Sequence, residues 1–224
     1  MKDGYRHEYK YIISQASAEL LKRRLPCMMK RDPHAGPTGQ YTIRSLYFDD
    51  LKFRAYEEKI DGLRDRAKYR LRCYNYNTNF VRLEKKEKHG DLTRKSSQKL
   101  TPQQVYDLQN RQWGDLTQSE GKLLDELRFQ LAGSFRPAVL VDYDRTAFVC
   151  NAGQTRITLD ENIRTRPYEP DLWATQSAMI PVLEPGEVVL EVKFNDFLPG
   201  YLGFEDISKI NLAISKYVLC ANTL

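Results

Sequence analysis

Residues 63–74, LRDRAKYRLRCY, alternate between charged and apolar side chains along most of their length. Successive side chains of a β-strand point to opposite faces of its sheet, so this alternation separates two faces. One face is mainly apolar and can pack. The other face carries five cations, namely Arg64, Arg66, Lys68, Arg70 and Arg72. Like charges this close repel one another unless anions or carboxylates lie opposite them, so the stretch predicts a strand with an anion-binding face.

The same division into a charged and an apolar face recurs in other predicted strands. The next strand, residues 80–88, shows Arg82, Glu84, Lys86 and Lys88 on one face. Further sets that share a face are Glu8 with Lys10, Tyr143 with Arg145, Arg156 with Thr158 and Asp160, and Glu191 with Lys193. One strand of this kind is explained by an exposed sheet whose charged side chains are solvated. Five or more such strands favour a closed antiparallel barrel, in which every strand has an inward face that lines a polar lumen.

The remaining patterns predict an α+β domain in which helices pack around the barrel. Aromatic and β-branched runs separated by helical signals are typical of antiparallel sheets. Predicted strands cover 5–13, 41–47, 63–74, 80–88, 92–100, 138–149, 156–160 and 188–194, and predicted helices cover 15–25, a turn from 49, a helix from 101, 117–131 and 207–221. No linker or repeat divides the chain, so residues 1–224 are expected to form a single domain.

Composition excludes several classes of protein. The 224 residues are 41% hydrophobic and 29% charged, which excludes collagen-like and disordered chains. The net charge of +5 is too small to indicate a nucleic-acid partner by itself. There is no apolar run long enough for a membrane span or a secretion signal, and the four cysteines match no metal-ligand spacing. We therefore expect a cytoplasmic protein, although a membrane-protein partner stays open.

The charged faces favour a ligand made of several phosphates. Guanidinium groups bind phosphate oxygens through two hydrogen bonds, and lysines bind them as point charges. Glu8 and Glu191 would be unfavourable beside an anionic ligand unless they hold a divalent cation that bridges phosphate oxygens. The alternative for each carboxylate is an ion pair with a neighbouring lysine. No P-loop or other glycine-rich phosphate loop is present.

Several short motifs, taken in order, resemble the VTC domain family of polyphosphate polymerases. They are RHEYKY at 6–11, SLYFD at 45–49, KYRLR at 68–72, LEKK at 83–86, YDR at 143–145, RITLD at 156–160, LEVK at 190–193 and SKY at 215–217. The family is part of the CYTH-like triphosphate tunnel metalloenzymes. The first motif departs from the superfamily pattern, because Arg6 stands where that pattern has a glutamate.

The resemblance implies a metal-dependent enzyme that adds the terminal phosphate of ATP to polyphosphate inside a tunnel, with Mn²⁺ or Mg²⁺. The implied catalytic residues are Arg70, Arg72, Lys86, Arg145 and Arg156. The implied phosphate-binding residues are Lys10, Lys95, Tyr143, Ser215 and Lys216, and the charged faces add Lys68 and Lys193. Glu191 is implied to bind the metal, and the charged faces add Glu8 as a second carboxylate. The lysine after the hairpin is offset in this chain, so Arg94 or Lys99 could replace Lys95.

Two other functions remain compatible with these residues. A tripolyphosphatase or nucleoside triphosphatase would use the same tunnel with water as the acceptor. A non-catalytic polyphosphate sensor would bind the chain without turnover. Nucleic acid is not an expected ligand. The aromatic side chains alternate onto the apolar faces and do not interleave with the cations, as stacking of bases on a basic face would require.

Overall fold

The computed structural model describes residues 7–90, 92–112, 114, 118–166, 170–173, 179–204, 207–211 and 215–223. The strands are β1 (His7–Ser14), β2 (Lys30–Arg31), β3 (Gln40–Asp49), β4 (Asp65–Tyr74), β5 (Val81–His89), β6 (Leu92–Leu100), β7 (Arg136–Cys150), β8 (Thr155–Arg166), β9 (Ile180–Pro181), β10 (Glu187–Phe194) and β11 (Ile210–Asn211). The helices are α1 (Gln15–Arg24), α2 (Arg54–Ile60), α3 (Pro102–Gln109), α4 (Lys122–Ala132) and α5 (Lys216–Ala221). The chain is thus α+β, as predicted.

The strands form one large antiparallel sheet. Its order is β11-β1-β10-β8-β7-β3-β4-β5-β6, with β2 paired to β7 and β9 paired to β8. Among the described residues, no hydrogen-bonded pairing joins β6 to β11, the two ends of this order. The large antiparallel sheet is confirmed, and the closed barrel stays a prediction because these hydrogen bonds do not close it.

The chain divides into two compact units. The first contains Met1–Thr42, Tyr143–Ile163 and Pro181–Ser215, and the second contains Ile43–Asp142, Arg164–Ile180 and Lys216–Leu224. Strands β3, β7 and β8 contribute residues to both units. The single domain expected over 1–224 stays a prediction.

Each unit has its own hydrophobic core, built from the apolar faces of its strands. In the first unit, Ile13, Leu159 and Leu190 pack with Leu21 of α1. In the second unit, the core contains strand residues such as Leu71 and leucines of α3 and α4. Because these apolar faces are buried, the alternating charged residues are left on the opposite face of the same strands.

Local capping chemistry explains where the helices begin. Ser14 caps α1 by accepting a hydrogen bond from the Ser17 N–H at 3.1 Å, as the sequence predicts. Thr101 and Gln104 form a reciprocal capping box at the start of α3. The start predicted for the helical turn, Asp49, is wrong, because α2 begins at Arg54. Asp49 ends β3, and its carboxylate accepts hydrogen bonds from the Ala55 and Tyr56 N–H groups inside α2.

The helix predicted over 207–221 is wrong in its first part, residues 207–211. Ile210 and Asn211 form the short strand β11, which pairs with Ile12 and Tyr11 of β1, and among the described residues of this stretch only Lys216–Ala221 is helical. Pairing with an edge strand satisfies the backbone groups of Ile210, so sheet hydrogen bonds replace the predicted helical ones. Ile214 lies outside the described residues, as does Thr117 at the predicted start of α4.

Candidate functional site

The second unit carries a basic face on β4, β5 and β6. Lys68 pairs in register with Lys86, and Lys86 pairs with Lys95, so three lysines form a row across the strands. In the adjacent row Arg70 pairs with Glu84. Side chains directly opposite each other in an antiparallel sheet lie close together. We call this set, Lys68, Arg70, Arg72, Glu84, Lys86 and Lys95, the basic face.

Glu84 is the carboxylate that organises the basic face. Its side chain is 3% exposed, and it accepts hydrogen bonds from Arg70 Nε at 2.8 Å and Arg70 Nη2 at 2.6 Å. Lys95 Nζ lies 2.5 Å from Glu84 Oε1, and Arg72 Nη1 lies 3.7 Å from Oε2. Burial by itself raises the pKa of Glu84, but the three cations outweigh burial and lower the pKa to about 2. One carboxylate therefore holds three of the five cations.

Lys68 is perturbed in the opposite direction. Its ammonium lies 4.3 Å from the ring centroid of Tyr217, a cation–π contact with a residue of α5. Burial lowers the pKa of Lys68 to about 7, and the attraction of Asp49 opposes this effect only in part. Near neutral pH this side chain can therefore gain a proton when an anion binds beside it.

Strand β3 positions the two arginines of the basic face. Tyr47 Oη accepts a hydrogen bond from Arg70 Nη1 at 2.7 Å, and Ser45 Oγ accepts one from Arg72 Nε at 3.1 Å. The sequence motif at 45–49 contains both Ser45 and Tyr47, but the alternation of side chains along this strand did not indicate either one as a site residue. The register pairs Arg94 with Glu87, which alternates onto the other face of β5. Lys95, and not Arg94, therefore shares the face of Glu84.

The first unit carries a second charged face, on β1, β10, β8 and β7. Lys10 pairs in register with Glu191, and Glu191 pairs with Thr158 of β8. Glu8 pairs with Lys193, and Lys193 pairs with Arg156. We call this set, Glu8, Lys10, Arg145, Arg156, Thr158, Asp160, Glu191 and Lys193, the balanced face.

Carboxylates neutralise the cations of the balanced face. Arg145 donates to both oxygens of the fully buried Asp160, at 2.6 and 2.7 Å, and its Nη2 lies 3.8 Å from Glu191. Glu191 also forms an ion pair with Lys193, and Glu8 forms one with Lys10 at 2.7 Å. Burial lowers the pKa of Arg145, but Asp160, Tyr143 and Glu191 outweigh burial and raise it. The lysine partners predicted as the alternative for Glu8 and Glu191 are thus present.

Arg156 forms hydrogen bonds with two residues that are not among the predicted site residues. Its Nη2 lies 2.5 Å from Asp32 Oδ2 and donates to Tyr41 Oη at 3.1 Å. Asp32 is buried at the start of a glycine- and proline-rich loop, where no periodic pattern indicates the direction of a side chain. Its 124-residue separation from Arg156 explains why only the folded chain reveals the pair.

The remaining expected phosphate-binding residues are Tyr143, Ser215 and Lys216. Tyr143 is buried, with the guanidinium carbon of Arg145 at 5.2 Å from its ring centroid. Ser215 directly precedes α5, and Lys216 is the first residue of that helix. Of the fourteen predicted site residues, Lys68, Arg70, Arg72, Lys86, Lys95 and Lys216 belong to the second unit, and the other eight belong to the first.

The donor groups of the balanced face fit a divalent cation that arrives with a phosphate ligand. No group of three or more histidine, cysteine, aspartate or glutamate side chains able to hold a metal occurs in the described part of the chain. Mg²⁺ is nevertheless commonly held by one or two carboxylates together with substrate phosphates. Glu191, 5% exposed and opposite Thr158, can supply such a carboxylate.

A family model confirms the resemblance found in the motifs. The model of the VTC domain matches residues 5–223, which is nearly the whole chain. The chain belongs to the VTC domain family. Membership of this family indicates an enzyme that acts on triphosphates or polyphosphate, either as a phosphotransferase or as a hydrolase.

Two solved structures are similar to this VTC domain at low sequence identity. A Bacillus halodurans protein with a proposed adenylate cyclase activity is 15% identical, with a TM-score of 0.49, and the match covers 83% of this chain and 78% of that one. The Schizosaccharomyces pombe Mediator head module contains a chain that is 8% identical, with a TM-score of 0.48, and coverages of 85% and 83%. No curated protein matches this VTC domain. None of its described helices combines the length and apolar character needed to cross a bilayer.

Proposed function

We propose that this VTC domain is a metal-dependent phosphotransferase that makes inorganic polyphosphate from the terminal phosphate of ATP. The observation that carries the proposal is the charge of the basic face, whose six side chains are five cations and one carboxylate, Glu84. Phosphates that displace Glu84, or that bind beside it, would relieve the repulsion among these cations. Phosphoryl transfer needs little covalent chemistry from the protein, so positioned cations can supply most of the catalysis.

In the proposed reaction, a terminal oxygen of polyphosphate attacks the γ-phosphorus of ATP. The bond from that phosphorus to the β–γ bridging oxygen breaks, ADP leaves, and the polymer gains one phosphate. Arg70 and Arg72 would stabilise the charge of the transferring group, because Tyr47, Ser45 and Glu84 fix their guanidinium groups before the ligand binds. Lys68, Lys86, Lys95 and Lys216 would bind phosphate oxygens, each as a point charge.

We assign the balanced face to the metal and to the remaining phosphate contacts. Mn²⁺ or Mg²⁺ supplies charge neutralisation between phosphate oxygens when it is bound. Glu191 would hold it, with Glu8 as the second carboxylate. Arg145, Arg156, Lys10 and Lys193 would contact phosphate oxygens, with Tyr143 and Ser215 as hydrogen-bond donors. A cytoplasmic location and a membrane-protein partner for export stay predictions.

The experiment measures two products, ADP and polyphosphate, after incubation of the purified protein with ATP and Mn²⁺. We expect ADP release together with polymer that is visible on a gel. Glu191→Gln should lower metal-dependent turnover about 100-fold or more, because it removes the carboxylate that holds the cation. The matched control is Glu187→Gln on the same strand, whose side-chain oxygen only accepts a hydrogen bond from the Glu184 N–H at 3.2 Å.

Three results would contradict the proposal in different ways. Phosphate release without chain growth would show hydrolysis, with water as the acceptor. Binding of polyphosphate with no turnover under any divalent metal would indicate a sensor, and in a sensor the Glu191→Gln substitution should change affinity little. Equal losses in the Glu191 and Glu187 variants would remove Glu191 from the mechanism.

A further inference from the structure

The hydroxyl of Thr158 lacks a hydrogen-bond partner although it is buried. Thr158 is 3% exposed, and its Oγ1 is one of two buried side-chain polar atoms in the described residues with no partner. The other is the amide oxygen of Asn195, whose amide nitrogen does bond to Gln154. Buried hydroxyls are nearly always paired, because desolvation without a compensating hydrogen bond destabilises the fold. The Thr158 hydroxyl can therefore donate a hydrogen bond to a bound ligand.

The position of Thr158 places this hydroxyl on the balanced face. Thr158 lies two residues from both Arg156 and Asp160 on β8, so the three side chains point to one side of the sheet. Across the ladder its partner is Glu191, and the next pair along the same face is Arg156 with Lys193. Opposite residues in such a ladder have Cβ atoms about 5 Å apart, so a ligand that contacts Lys193 or Arg156 lies within reach of Thr158.

The neighbouring groups indicate which kind of ligand this is. The carboxylates on this face already accept charged hydrogen bonds, since Asp160 binds Arg145 and Glu191 binds Lys193. Arg156 binds Asp32 and Tyr41 through Nη2, and its side chain is 32% exposed, so its other N–H groups can donate to a ligand. A ligand that meets these donors must offer acceptor oxygens.

We propose that the Thr158 hydroxyl donates a hydrogen bond to an oxygen of a phosphate bound on the balanced face. The inference rests on the proposed function only in taking phosphate as the ligand. Thr158 then acts as a binding residue that distinguishes a correctly seated phosphate from one held by charge alone, because its short β-branched side chain fixes the position of the hydroxyl, whereas an ammonium group on a flexible lysine stem can follow the ligand.

The test compares stability and ligand binding in three variants. Thr158→Val keeps the shape and removes the hydroxyl, Thr158→Ser keeps the hydroxyl, and Thr165→Val is the matched control on the same strand. The Thr165 hydroxyl is also buried, but it donates to the Leu140 carbonyl at 2.6 Å. Binding of tripolyphosphate is measured by calorimetry in the presence of EDTA, and stability is measured by urea unfolding.

We expect opposite behaviour from the two valine variants. Thr158→Val should unfold at the same urea concentration as the wild type or a higher one, because it removes an unpaired buried hydroxyl, yet it should bind tripolyphosphate about tenfold more weakly. Thr165→Val should unfold at a lower urea concentration and retain wild-type affinity. Thr158→Ser should restore most of the affinity.

Several results would overturn the inference. The first is a Thr158→Val protein that binds tripolyphosphate as tightly as the wild type. The second is a Thr158→Val protein whose affinity falls only when Mn²⁺ replaces EDTA. The third is a wild-type protein that does not bind tripolyphosphate. A wild type that binds tripolyphosphate but makes no polyphosphate would instead refute the polymerase proposal, and the comparison of Thr158 variants would still decide this inference.

Discussion

Replacing Glu84 by Gln should destabilise the protein strongly at neutral pH and much less in acid. The Glu84 pKa falls from 4.5 to about 2 on folding, and the side chain is 3% exposed. A group whose pKa is lowered by folding stabilises the protein above its unfolded pKa, and this contribution disappears as pH falls through the folded value. A shift of roughly 2.5 units corresponds to about 3 kcal/mol at pH 7, and about 1 kcal/mol of it remains at pH 3.

The assay is urea unfolding of the wild type and Glu84→Gln at pH 7 and pH 3. The difference in unfolding free energy should shrink from about 3 kcal/mol to about 1 kcal/mol between the two pH values. The control is Glu87→Gln on the same strand, whose ion pair with Lys85 is more exposed and should contribute less than about 1 kcal/mol. A Glu84→Gln protein as stable as the wild type at pH 7, or a difference that is the same at both pH values, would refute this reasoning.

Two further predictions concern Lys68 and Tyr217. Because burial lowers the pKa of Lys68 to about 7, tripolyphosphate binding at pH 7 should take up protons and should weaken as the pH rises to 8. Lys68→Arg should reduce both effects, which calorimetry in buffers of different ionisation enthalpy can measure. Equal proton uptake in the wild type and in Lys68→Arg would contradict this prediction. Tyr217→Phe removes the hydroxyl that donates to the buried Asp49, so its unfolding free energy should fall by roughly 1–3 kcal/mol in urea unfolding at pH 7, and no change would show that this hydrogen bond contributes nothing.

Alternation along the strands was enough to predict most of the sheet. The strand predicted over 63–74 is β4, Asp65–Tyr74, and the one predicted over 92–100 matches β6. Two helix starts were predictable because Ser14 and Thr101 are local caps. The helix prediction for the start of the C-terminal segment was wrong. The spacing of its apolar residues suits a helix, but the backbone of Ile210 pairs with the edge of β1. Edge pairing depends on a distant strand, which local periodicity does not describe.

The sequence by itself determined which residues share a face, because side-chain direction in a strand depends only on the parity of residue number. It therefore identified Lys68, Arg70 and Arg72 as one basic set. It could not determine which charges neutralise one another, because that depends on register and on loops far away in the chain. Only the tertiary structure gave Glu84 three cations, paired Arg145 with Asp160, and left the Thr158 hydroxyl buried without a partner among the described residues.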